Sequence, residues 1–112
     1  VLDVNNPQSL AELTAQLDDK RVILIGEIHD VLSHHQNQLS IIKSVYARNP
    51  KLVIGIEFIQ SQFQSDLDDY IAGEIGEREM LTKTEYYKRW RVDYRMLQPI
   101  FKFARQNQIP LL

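Results

Sequence analysis

Val22-Ile23-Leu24-Ile25-Gly26-Glu27-Ile28-His29-Asp30 is the stretch on which the reading of the fold turns. Four consecutive apolar residues closed by a glycine read as a short strand buried on both faces. The pattern recurs at Leu52-Val53-Ile54-Gly55-Ile56, which runs into Glu57-Phe58, and Ile109-Pro110-Leu111-Leu112 predicts a third strand. Helical patterns fill the gaps. Ser9 and Glu12 have capping-box spacing after Pro7-Gln8, with Leu10, Leu13 and Leu17 on one face. A second helix is predicted from about Ser33 to Arg48, with Ser33 and Gln36 as its capping pair and Leu39, Ile42, Val45 and Tyr46 as its stripe; Asn49-Pro50 stops it. Phe63, Leu67, Tyr70 and Ile71 form a third stripe, ended by Gly73. Gly76 to Trp90 predicts one or two short helices, and Tyr94 to Gln106 another that starts or kinks near Pro99.

Alternating strands and helices imply an α/β fold, a parallel sheet of buried short strands with helical crossovers. A buried strand at the terminus leaves the next face without a helix. The 112 residues are therefore expected to be a single α/β domain, or the N-terminal part of a larger three-layer one. Unpaired strand edges invite pairing, so a homo-oligomer is expected as well.

Composition excludes several classes. There are 13 Lys and Arg against 15 Asp and Glu, with 44% apolar residues, which is globular composition. Cysteine is absent, so disulfides, thiolate metal sites and a Cys nucleophile are ruled out. No apolar run reaches the roughly 20 residues of a membrane span, and no leader sequence is visible. A net charge of −2 argues against DNA binding, and no nucleic-acid partner is expected. Acids dominate from Asp66 to Glu79 and bases from Lys83 to Arg105, which fits either an anion site or two faces that pair with each other.

The chemistry-bearing residues gather at the predicted strand ends, where open parallel sheets bind ligands. Glu27 and Glu57 would approach closely if their strands were neighbours, which is unfavourable unless a cation, a shared proton or a base intervenes. Glu27 and His29 project to the same side of an extended chain. Glu27, His29 and Glu57 thus fit a divalent-metal or acid–base site. The plainer alternative has Glu27 capping the next helix and Glu57 pairing with an Arg or Lys. His34 and His35 point roughly 100° apart in a regular helix, so at most one can face a ligand, and Gln38 can share a face with either. Tyr87, Trp90 and Tyr94 align if their segment is helical. With Arg91 and Arg95 they could stack on a flat ligand bearing carboxylates or on single-stranded nucleic acid, or simply form core.

Taken together, Gly26-Glu27-x-His29-Asp30, His34-His35-x-x-Gln38, Gly55-Ile56-Glu57-Phe58, the Trp90…Tyr94…Pro99 segment and Phe103-Ala104-Arg105 leading into Ile109-Pro110-Leu111 resemble the ChaN-like family of bacterial haem-binding uptake proteins. That family is grouped with the Tiki, TraB and erythromycin-esterase-like proteins. The resemblance implies an α/β domain that binds haem or an iron compound and belongs to the bacterial envelope or periplasm, often as a lipoprotein. Members are considerably longer, so the chain reads as an N-terminal portion, and membrane association is expected only through a lipid anchor lying outside it. Relatives in the wider grouping look like metal-dependent hydrolases, for which Glu27, His29 and Glu57 would be the catalytic and metal-binding set.

Haem offers a flat apolar macrocycle, an iron needing an axial donor, and two propionates. With methionine limited to Met80 and Met96, the expected donors are His or Tyr. His34 and His35, Tyr87 and Tyr94 are the candidates, with Trp90 beside them. Arg91 and Arg95, four apart, would hold the propionates from one helical face. His35 and Tyr94 are the pair expected nearest the iron.

Overall fold

A computed structural model describes residues 9–112. Pro7 and Gln8, expected to open the first helix, lie outside the described residues. Six α-helices follow: α1 Leu10–Ala15, α2 Leu32–Arg48, α3 Gln64–Ala72, α4 Glu77–Lys83, α5 Tyr86–Arg89 and α6 Gln98–Gln106. Two 3₁₀ turns, Ser61–Phe63 and Tyr94–Met96, precede α3 and α6.

Local chemistry explains three of the helix boundaries. The Ser9 hydroxyl accepts from the Glu12 N–H while the Glu12 carboxylate accepts from the Ser9 N–H, a complete capping box on α1. Gly73 ends α3 in the left-handed conformation at φ 87°, where a side chain would be strained. Pro99 sits in the first turn of α6, where its missing N–H costs no helical bond. The cap of α2 differs from expectation. Its N-cap is Val31, with no side-chain bond, and Ser33 lies inside the helix. The turn starts earlier because the Val31 N–H donates to Ile28 O at 2.9 Å and the His34 N–H to Val31 O at 3.0 Å.

The core lies in the C-terminal two thirds. Leu67, Tyr70, Met80, Tyr86, Phe101, Ala104, Ile109 and Leu111 are all buried, drawn from α3, α4, α5, α6 and the final segment. Helix α1 packs on α2 through the Ser44 hydroxyl, which donates to Thr14 Oγ1 at 3.1 Å, and through Arg48, which reaches Asp18 and the Thr14 carbonyl.

The expected parallel sheet does not form. Among the described residues the only β-pairing is an isolated parallel bridge, Ile54 to Leu111. The Ile54 N–H donates to Pro110 O, the Ile56 N–H to Leu112 O and the Leu112 N–H to Ile54 O, at 2.8–3.0 Å. Residues 21–27 are extended but make no backbone–backbone hydrogen bond among the described residues. A cavity of about 310 Å³ is lined by residues of both segments, Ile23 and Ile25 from the first and Leu52, Ile54 and Ile56 from the second. The first apolar run is therefore not buried on both faces: Val22 is 75% and Leu24 92% exposed. Its side chains alternate, with Ile23, Ile25, Glu27 and His29 the more covered and Val22, Leu24 and Ile28 facing outward. An apolar run specifies an extended chain, whereas a strand also needs a neighbour for its N–H and C=O groups.

This arrangement sets opposite costs for two large apolar residues. Phe101→Ala should destabilise by about 3–5 kcal/mol in urea unfolding, whereas Leu24→Ala should change stability by no more than about 0.5 kcal/mol. A loss of several kcal/mol at Leu24 would mean that the run is buried after all.

Candidate functional site

The extended stretch delivers Glu27 and His29 to one side, the first turn of α2 delivers His35, and the chain beyond the Ile54–Leu111 bridge delivers Glu57 and Phe58. Trp90, just past α5, completes the group. One backbone bond fixes the corner: the Ile28 N–H donates to His34 Nδ1 at 2.9 Å.

His29 is the centre of the cluster. Its Nδ1–H donates to Glu27 Oε1 in a short contact, and its Nε2 lies 4.0 Å from Glu57 Oε2. A base thus stands between the two acids, one of the arrangements that makes their approach tolerable. The ring is edge-on to Phe58 at 5.0 Å and to Trp90 at 5.5 Å, and those two rings contact each other at 4.9 Å. The His29 side chain remains 41% exposed.

The two carboxylates differ in setting. Glu27 is 9% exposed, and its Oε2 is buried without a hydrogen-bond partner among the described residues. The nearest group able to carry positive charge is His35 Nε2, at 3.6 Å. Glu57 is 70% exposed and has no Lys or Arg ion pair among the described residues. Neither plain alternative holds there: Glu27 does not cap α2, and Glu57 has no such cation.

The other expected site residues fall into three groups. His35 is buried and clamped: its Nε2–H donates to the His29 carbonyl at 3.0 Å, and its Nδ1 lies 3.1 Å from the Gln38 side-chain amide. His34 Nδ1 is occupied by the Ile28 N–H. Tyr94 is buried against Tyr86 and Phe101, with its hydroxyl donating to Glu77 at 3.4 Å. Burial pushes its hydroxyl pKa up, which makes a phenolate donor unfavourable. No described contact joins Tyr94 to His35.

The aromatic stretch is not one helix. Helix α5 ends at Arg89, and Trp90 is extended at φ −120°. Tyr87 therefore points to solvent with its ring on Tyr86, while Trp90 turns to His29. Arg91 is exposed and has no ion pair among the described residues, whereas Arg95 is held by Asp93 in the Tyr94–Met96 turn. The two arginines do not share a helical face.

Phe58 stands in the Gly55-Ile56-Glu57-Phe58 motif, but the motif alone assigns it no role at the site. It follows Ile54 and Ile56 in phase with period two, and that signal places it inward. Divalent-metal binding by Glu27, His29 and Glu57 gains no support from the geometry. Among the described residues no group of three or more His, Asp or Glu side chains is arranged to hold a metal ion.

The Glu27 hydrogen bond raises the His29 pKa above the ordinary histidine value, and the charges of Glu27, Glu57 and Asp30 add to it against opposing desolvation. A raised folded pKa stabilises the protein fully below the unfolded value of about 6.5, and this contribution is lost as pH rises through the folded value. Proton-resonance titration should show His29 titrating above 6.5, and Glu27→Gln should lower that midpoint. An unchanged midpoint would mean that the Glu27 contact is absent in solution.

No helix among the described residues is long and apolar enough to cross a membrane. No curated protein and no solved structure matches the chain. A family model described as haem-binding uptake, Tiki superfamily, ChaN matches residues 13–112. That match spans the stretch bearing Glu27 and His29, the bridge and the aromatic segment, so the chain belongs to the ChaN-type family of haem-binding uptake proteins within the Tiki superfamily.

Proposed function

We propose that this chain captures haem for uptake at the bacterial cell envelope, using His29 as the axial donor. The observation that carries the reading is the state of the His29 ring. Its Nδ1 is held by Glu27, while its Nε2 makes no hydrogen bond among the described residues and lies 4.0 Å from Glu57 Oε2. A carboxylate on one ring nitrogen fixes the tautomer and raises the basicity of the other, as in metal-ligating histidines generally.

The surrounding residues fit the group. Phe58 and Trp90 give an apolar, aromatic surface beside the imidazole, and exposed Arg91 is free among the described residues to pair with a propionate. Bound haem would supply the iron that takes the imidazole lone pair. Tyr87 and Arg95 stand further out on the same chain segment and would act at the periphery. His34, His35 and Tyr94 are engaged in internal contacts, which favours a structural role for them.

Attachment as a lipoprotein and self-association belong to the same proposal. The outward apolar residues Val22, Leu24 and Ile28 support a homo-oligomer, since an exposed extended edge with an apolar face favours association.

Haemin titration followed at the Soret band tests the donor. His29→Ala should weaken binding at least about tenfold, equivalent to about 1.4 kcal/mol. A variant with His34, His35 and Tyr94 all replaced should keep the spectral signature of the parent complex if it folds. Unchanged affinity in His29→Ala would overturn the assignment. Light scattering of the parent chain and of Leu24→Lys tests association: a larger species in the parent that the substitution disperses is the expected result.

A further inference from the structure

We infer that this site selects the ferric form of haem, and that Glu27 is the positioning residue that sets the preference. The inference rests on the proposal that His29 is the axial donor, and it deepens that proposal by naming the oxidation state bound. Ferric haem carries one more positive charge at iron than ferrous haem. The side chains around His29 are therefore decisive.

Two carboxylates face the ring. Glu27 Oε1 accepts from Nδ1–H, and Glu57 Oε2 lies 4.0 Å from Nε2. None of the Lys or Arg ion pairs among the described residues involves either acid: the bases pair with Asp18, Asp19, Asp66, Glu79, Glu85 and Asp93. Among the described residues Glu27 Oε2 also lacks a hydrogen-bond partner in its buried position. Buried charge is screened much less than exposed charge. Accepting the Nδ1 proton gives the imidazole partial imidazolate character, which strengthens its donation to the more positive iron. Both effects stabilise the ferric state over the ferrous one. Glu57 acts in the same direction but less strongly, because it is largely exposed.

Nearby groups offer little compensation. His35 Nε2 stands 3.6 Å from Glu27 Oε2, but its hydrogen bond goes to the His29 carbonyl. Asp30 adds a further negative charge. Arg91, which follows Trp90 in sequence, is exposed and has no ion pair among the described residues, and a propionate would neutralise it.

The test is spectroelectrochemistry of the full chain loaded with haemin, beside Glu27→Gln and Glu57→Gln. Separate titrations would use haemin under air and haem kept ferrous with dithionite. Glu27→Gln should lose at least tenfold of the ferric-over-ferrous preference, read as a rise in potential of about 59 mV for one electron. Glu57→Gln should move the potential the same way by less. A ferric-to-ferrous affinity ratio in Glu27→Gln equal to the parent's overturns the inference while leaving haem binding intact. If Glu27→Gln does not fold, Glu57→Gln decides, and an unmoved potential there overturns the inference equally. No Soret shift in the parent would overturn the haem reading itself, and this inference with it.

Discussion

The three backbone bonds that join residues 54–56 to residues 110–112 hold this molecule's two halves in register. They bring the end of the chain beside its middle, and Gln64 reinforces the contact by donating from Nε2 to the Leu111 carbonyl at 2.8 Å. Ile54, Ile109 and Leu111 are thereby carried into the core that α3 and α6 close. Because side chains alternate along an extended chain, the same register turns Phe58 inward and leaves Glu57 facing out. The position of the candidate site is thus a consequence of one short pairing. Among the described residues, residues 21–27 have no comparable backbone pairing; the hydrogen bonds at Ile28, His29 and Val31 and the approach of Glu27 to His35 tie this stretch to α2.

That contrast explains which parts of the fold were legible in the sequence. Capping and termination are local chemistry, so Ser9 with Glu12, Gly73 and Pro99 announced their elements within a few residues. The sheet was not local. Residues 22–25 and residues 52–56 carry nearly the same apolar pattern, yet only the second finds a partner. The pattern encodes extended backbone and alternation, both of which hold, but pairing depends on what lies alongside. The Ser33–Gln36 cap failed because the backbone turn from Ile28 to His34, with Ile28 N–H also held by His34 Nδ1, starts α2 before Ser33.

At the site, the legible part was again the periodic part. Glu27 and His29, two apart, share a side and meet. Gln38, three residues after His35, reaches it. The aromatic stretch was harder because its reading assumed one helix through Tyr87, Trp90 and Tyr94. The chain leaves the helix at Trp90, which separates the three rings into a solvent-facing one, a site-facing one and a core one. A break of that kind depends on tertiary packing, here Trp90 against Phe58, and spacing alone does not contain it.

The distribution of charge gives the site its character more than any single residue does. The protein is nearly neutral, with two more acids than bases, and six of its 13 Lys and Arg side chains form ion pairs among the described residues, among them Arg89 with Glu85, Arg95 with Asp93, and Lys83 with Asp66 and Glu79. Among the described residues none of these pairs involves Glu27 or Glu57, even though seven bases lie between Lys83 and Arg105. A buried carboxylate oxygen without a donor costs about 1–3 kcal/mol or more. Contacts that disfavour the empty fold but suit a bound cationic centre are the mark of a site shaped for binding rather than for stability. Glu27 fits that description: one oxygen holds the imidazole in place, and the other lies buried without a hydrogen-bond partner among the described residues.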